Sequence, residues 1–118
     1  MKNYLAIYTG TEHSMAQSRW AKLSEEDRRA REQAGMAAWG QWAQANAGAI
    51  VDAGSPLGKT KSASPEGVSD IRNVMAAYTI IRANSHEAAA KMFENHPHFT
   101  IFPGDSVDIM ECLPMPGA

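Results

Sequence analysis

The sequence predicts one α+β domain, an antiparallel sheet with its helices gathered on one face. Three observations lead there. Short runs rich in aromatic and branched residues alternate with two helical segments in the order β-α-β-β-α-β. A strong helix signal opens at Ser24, followed by Glu25, Glu26 and Asp27. The strand candidates carry apolar side chains on both parities, which implies a sheet covered on both faces. At 118 residues the chain fits one domain, able to bury roughly two-thirds of its unfolded surface.

The first strand is expected over residues 3–9, where Asn-Tyr-Leu-Ala-Ile-Tyr-Thr ends at Gly10. Residues 11–22 are mixed and predict a loop or short helix. From Ser24 to about Ala47, Ala34, Gly35, Ala38, Trp39, Trp42, Ala43 and Ala45 fall on one wide face, with Gln33, Gln41 and Gln44 opposite. Gly48 ends that helix. Ala49–Ala53 is a second strand, closed by Gly54-Ser55-Pro56. Residues 54–70 are dense in Gly, Ser, Pro and Lys, a long loop or loosely paired hairpin. The longest strand is expected from about Ile71 to Ala83. Ser85 caps a shorter helix that Asn95-His96-Pro97 stops, and Ser106–Cys112 is the final strand. This is the ferredoxin-like, or split βαβ, arrangement.

Strand one places Leu5 and Ile7 on one side and Tyr4, Ala6 and Tyr8 on the other. Neither side suits water, so the helix-free face needs a cover, and a second copy of the same sheet is the cheapest one. A homodimer through the sheet face is therefore expected.

Charge excludes some functions. The net charge is −2, and the one basic cluster, Arg28, Arg29 and Arg31, is interleaved with acids. That pattern marks a solvated helix face, so neither nucleic acid nor an anionic membrane is an expected partner. Cys112 is the single cysteine, which precludes an internal disulfide and suits a reducing cytoplasm, the expected location. It is expected as a buried small residue.

The residues resemble the YCII-related (YciI-like) family of dimeric α+β barrel proteins. The resemblance rests on Met1–Tyr8, on Met36-Ala37-Ala38-Trp39-Gly40 with Gly48–Gly54, and on Glu87-Ala88-Ala89 through His96-Pro97-His98 to Val107–Glu111. It implies a dimeric α+β barrel of ferredoxin-like topology and a cavity for a small apolar or lactone-like molecule. Wider relatives of that barrel include lactone isomerases and small monooxygenases. Two departures matter. Family members proposed to be enzymes carry a His in the first helix as part of a His-Asp pair, and the stretch Gly35-Met36-Ala37-Ala38-Trp39 has none. An Asp-Gly-Pro-Phe signature of a related branch is also absent, since residues 64–70 read Ser-Pro-Glu-Gly-Val-Ser-Asp.

Few residue types here carry chemistry. Ala53–Thr60 fits a relaxed phosphate-loop pattern, but loop rather than helix follows Lys59-Thr60, so the phosphate cradle has no context. Asp52 lies in an otherwise apolar strand. It is expected either to be a partly buried general base of raised pKa or to organise the Gly54-Ser55 turn. His98 and His13 are its candidate proton-transfer partners, with Asp52, His98 and His13 as the catalytic set. Helix termination and loop hydrogen bonding are the alternative roles for His96 and His98, whose rings the intervening Pro97 is expected to hold apart. Tyr8, Trp39, Tyr78 and His96 are candidate ligand contacts, with the two tyrosines expected at neighbouring strand positions. Core packing is the plainer role for Trp39 and Trp42. No metal spacing is completed by His13, His86, His96 and His98, and no cofactor is implied. Two functions stay open: a small-molecule enzyme working by acid/base chemistry, or a non-catalytic dimeric binding module that has lost the family's catalytic His.

Overall fold

A computed structural model describes residues 1–117. The strands are β1 (Lys2–Thr9), β2 (Ile50–Pro56), β3 (Thr60–Ser64), β4 (Gly67–Ile71), β5 (Met75–Ala83) and β6 (Ser106–Glu111). The helices are α1 (Glu12–Ser18), α2 (Glu25–Ala45), α3 (His86–Lys91) and α4 (Pro97–Thr100). Four strands form an antiparallel sheet in the order β2-β5-β1-β6, and β3 and β4 pair separately as a hairpin.

Register sorts the sheet into two faces. Tyr4 faces Ile81, Ala6 faces Thr79 and Tyr8 faces Ala77 across β1 and β5. Tyr4, Ala6, Tyr8 and Ile81, with Ala83, Ala89 and Phe93, make the buried core, with Thr79 buried and Ala77 half-buried beside them. Both long helical regions lie on this face: Trp39 of α2 packs on Tyr8 at 4.8 Å, and His86 of α3 stacks on Tyr4 at 5.4 Å. The opposite face carries Leu5, Ile7, Tyr78 and Ile80, half-buried, and Met110, 45% exposed. No helix covers them.

Local chemistry explains the elements. Ser24 accepts the Asp27 amide at 3.0 Å, and three acids sit in the first turn of α2, where the helix dipole favours them. The buried stripe of α2 is narrower than its sequence implies. Gly35 is buried and Ala38, Trp39, Trp42 and Ala43 half-buried, whereas Ala34 and Ala45 are exposed. Thr11 and Ser14 form a reciprocal capping box that turns residues 12–18 into α1.

The expected strand from Ile71 to Ala83 is two elements. Asn73 accepts the Met75 amide through its side chain at 2.9 Å, and this local turn ends β4 at Ile71 and restarts the chain as β5. The hairpin contributes nothing to the core. The radius of gyration is 16.3 Å, against roughly 13–14 Å for a compact domain of this length. The projecting hairpin accounts for an extended, plate-like molecule 54 × 43 × 19 Å. Cys112 lies just past β6 and is exposed, although its backbone N–H still donates to the Asn3 carbonyl of β1 at 2.9 Å. No described helix is long and apolar enough to cross a membrane.

Candidate functional site

The distinctive chemistry of the molecule collects where the end of β1 meets the segment 96–106. Pro97 opens the one-turn helix α4 instead of holding the segment extended, because proline is well suited to the first helical position. His96 caps that turn: its Nδ1 accepts the backbone N–H of His98 at 3.0 Å. The two imidazoles are thereby drawn to the same ring, 5.2 Å and 5.4 Å from Tyr8. The expectation that Pro97 keeps them apart is corrected.

His96 is fully buried in an aromatic box, with Trp39 at 4.5 Å, Trp42 at 4.8 Å and Phe93 at 5.8 Å. Since Nδ1 accepts, the neutral ring carries its proton on Nε2, which has no hydrogen-bond partner among the described residues. Burial, reinforced by the neighbouring His98, lowers its pKa to about 4. His96 is thus neutral at physiological pH.

His98 is held differently. Its Nε2 lies 2.6 Å from the Thr9 carbonyl, an acceptor only, so Nε2 carries the proton and Nδ1 keeps a free lone pair. That nitrogen has no hydrogen bond among the described residues, yet it is not sealed off as His96 Nε2 is. The Thr9 carbonyl also accepts the Asp105 amide at 3.0 Å, and the Gly104 amide donates to the His98 carbonyl at 3.0 Å. Gly104 lies flat against the imidazole, where any side chain would overlap the ring. Burial lowers the His98 pKa, while the Thr9 carbonyl and the Asp105 carboxylate oppose that shift.

His98 forms part of the wall of a cleft of about 620 Å³, lined mainly by apolar groups including Met15, Ala21, Ala76, Phe102 and Pro103, with Thr11 and Glu12 at one side. A cleft of this size is in the range that holds small-molecule ligands. Phe102 is seated by Gly35, whose missing side chain leaves room for the ring against α2. Ser14 anchors α1 to the far rim by donating to the Pro103 carbonyl at 3.0 Å. A second, larger hollow of about 1430 Å³ adjoins the cleft along Gly10, Thr11 and Glu12 and runs under the hairpin.

The other expected site residues fall elsewhere. Asp52 is exposed rather than partly buried; it accepts the Gly54 amide at 2.9 Å and so organises the turn. Its other oxygen accepts from the Tyr78 hydroxyl at 3.4 Å. Asp52 pairs with Ile80 in register, on the helix-free face, so the sheet stands between it and His98. The structure does not bring Asp52 and His98 together as an acid/base pair. Tyr78 faces Ile7 rather than Tyr8, so the two tyrosine hydroxyls point to opposite sides of the sheet. Tyr8 instead bonds Thr79 at 3.0 Å, and burial raises its pKa. His13 is exposed and lines the open hollow, beside the cleft but not within it. Trp39 backs the imidazoles from α2. Thr9, Phe102 and Gly104, which shape the surroundings of His98, carried no signal beyond the turn dipeptide Pro103-Gly104. Among the described residues no group of three or more His, Cys, Asp or Glu side chains is placed to hold a metal ion.

No family model matches the chain, and no curated protein matches it. Among solved structures, the chain is similar to 5-chloro-2-hydroxyhydroquinone dehydrochlorinase (TftG) from Burkholderia phenoliruptrix AC1100, in complex with 2,5-dihydroxybenzoquinone. The TM-score is 0.55 at 15% identity, over 94% of this chain and 93% of that one. At that identity the likeness concerns the fold alone, and it gives the chain an α+β fold in common with a small α+β barrel protein.

Proposed function

We propose that the chain binds a small molecule with an apolar, ring-sized body in the cleft beside His98 and moves a proton through Nδ1 of that residue. The observation that carries this function is the Thr9–His98 contact. It commits Nε2–H to a carbonyl and leaves Nδ1 as a base whose pKa burial keeps low enough to be unprotonated near neutrality. When Nδ1 takes a proton, the Thr9 carbonyl and the nearby Asp105 carboxylate stabilise the imidazolium. A hydroxylated six-membered ring, quinone or phenol, is the first substrate type to try, because TftG was solved with 2,5-dihydroxybenzoquinone.

The experiment is a thermal-shift titration with 2,5-dihydroxybenzoquinone and phenol on wild type and His98→Gln. Stabilisation of wild type that disappears in the variant supports the cleft. Equal shifts in both proteins, or none in wild type, would remove it.

A second reading is favoured by one observation, the separation of Asp52 from His98 by the sheet. Without Asp52 as a second acid/base group beside the imidazole, the domain would bind its ligand and not turn it over. Binding with no chemical change in the ligand would select this reading.

In either case we propose a ferredoxin-like, YCII-type barrel completed by a second copy. The support is the helix-free face, where Leu5, Ile7, Ile80 and Met110 form a continuous apolar strip with no cover in one chain. Light scattering after size exclusion should give twice the 12.8 kDa chain mass. Ile7→Asp with Ile80→Asp should then give the monomer. A wild-type monomer would sink the dimer.

A further inference from the structure

The open hollow beside the His98 cleft has a different character from the cleft itself. Its outer wall is the base of the β3–β4 hairpin. Thr60 faces Ile71 and Lys61 faces Asp70 in register, and Lys59 and Arg72 are the residues that enter and leave the hairpin just beyond that last pair. Asn73 staples that end by donating to Thr60 Oγ1 at 3.0 Å. Lys59 and Arg72 both line the hollow.

The neighbouring ion pairs do not cancel them firmly. Lys61 is matched to Asp70 at 2.7 Å, and Arg72 touches Glu12 at only 3.4 Å, with both side chains of that second pair more than nine-tenths exposed. An exposed pair of that kind is worth little and exchanges readily for a better anion. Lys59 has no ion-pair partner among the described residues. Glu12 also belongs to the wall that the hollow shares with the cleft, so Arg72 stands beside the entrance to the His98 cleft.

We infer that the ligand of the His98 cleft is an amphipathic anion: an apolar ring in the cleft, and a carboxylate-type group reaching out to Lys59 and Arg72 at the hairpin base. This specificity rests on the cleft function proposed above and adds to it the charge of the ligand. Arginine suits a carboxylate because its planar fork can donate two parallel hydrogen bonds.

A matched pair of probes tests it: 4-hydroxybenzoate and phenol, titrated by tryptophan fluorescence into wild type, Lys59→Gln/Arg72→Gln and His98→Gln. In wild type the carboxylate should bind about tenfold tighter than phenol, and about 0.5 M salt should erase most of that advantage. In the Lys59→Gln/Arg72→Gln variant the two probes should come within about twofold of each other, with phenol unchanged from wild type. If phenol and 4-hydroxybenzoate bind wild type equally, and both are lost in His98→Gln, the cleft stands and the anion site is overturned. A carboxylate preference that survives in Lys59→Gln/Arg72→Gln overturns the assignment to these residues. If neither probe binds wild type, the cleft function and this specificity fall together.

Discussion

Thr9 and His98 meet through a 2.6 Å hydrogen bond between positions 89 residues apart, at the point where β1 leaves the sheet. One contact therefore fixes the tautomer of the imidazole, closes the segment 96–106 onto the sheet and sets one wall of the cleft. His98→Gln should unfold about 1–2 kcal/mol more easily, the loss expected for one buried hydrogen bond and some packing. Urea denaturation measures this directly, and a loss above about 4 kcal/mol would mean that His98 holds up the core rather than the cleft.

Gly104→Ala should disable the cleft. The added methyl overlaps the His98 ring, so the imidazole must leave the Thr9 carbonyl. Ligand stabilisation should vanish while circular dichroism keeps the wild-type signature. Gly40→Ala is the matched control: it lies in α2 with open space at the methyl position. It should stabilise the protein by about 0.5–1 kcal/mol, the helix preference of alanine over glycine.

Gly54→Ala should be among the most damaging small changes. The backbone there is left-handed, at φ +73°, and a methyl would overlap the Tyr78 carbonyl, which cannot swing aside as a side chain can. The expected loss exceeds about 3 kcal/mol. A midpoint near wild type in chemical denaturation would show that β2 can shift its register at little cost.

Stability should fall on acidification before most carboxylates titrate. His96 has an ordinary pKa near 6.5 when unfolded and about 4 when folded. Between those values the unfolded chain binds a proton that the folded chain refuses. The full contribution is present above about pH 6.5 and is lost progressively down to about pH 4, on the order of 3 kcal/mol, and His98 adds a loss of the same sign. Unfolding free energies at pH 7.5, 6 and 5 should trace this slope. His96→Asn should flatten it, and an unchanged slope would place the proton uptake elsewhere.

The framework was legible because it depends on local patterns. Alternation in Tyr4-Leu5-Ala6-Ile7-Tyr8 separates the two faces of β1, and Ser24 with three acids marks the start of α2 as the structure has it. The site was less legible because it depends on parity and turn geometry. Irregular register on both sides of Asp52 decides which face it takes, and a one-residue offset puts Tyr78 opposite Ile7. The sense of Pro97 also depends on context: the same residue can end one helix or begin the next, and His96 Nδ1 settles which by capping the new turn. Lys59 and Arg72 lie 13 positions apart, and only hairpin pairing brings them to one hollow.

The hairpin stands outside the core, and that separation has an evolutionary consequence. Substitutions at its base cost the sheet almost nothing, since no buried side chain depends on them. The imidazole and its Thr9 clamp are tied into the main core, so change there is penalised at once. If the proposed function holds, a lineage of such proteins can retune which molecule it accepts by drifting along the arm, while the imidazole end stays fixed. The arm is left free to diverge and the clamped imidazole is held back.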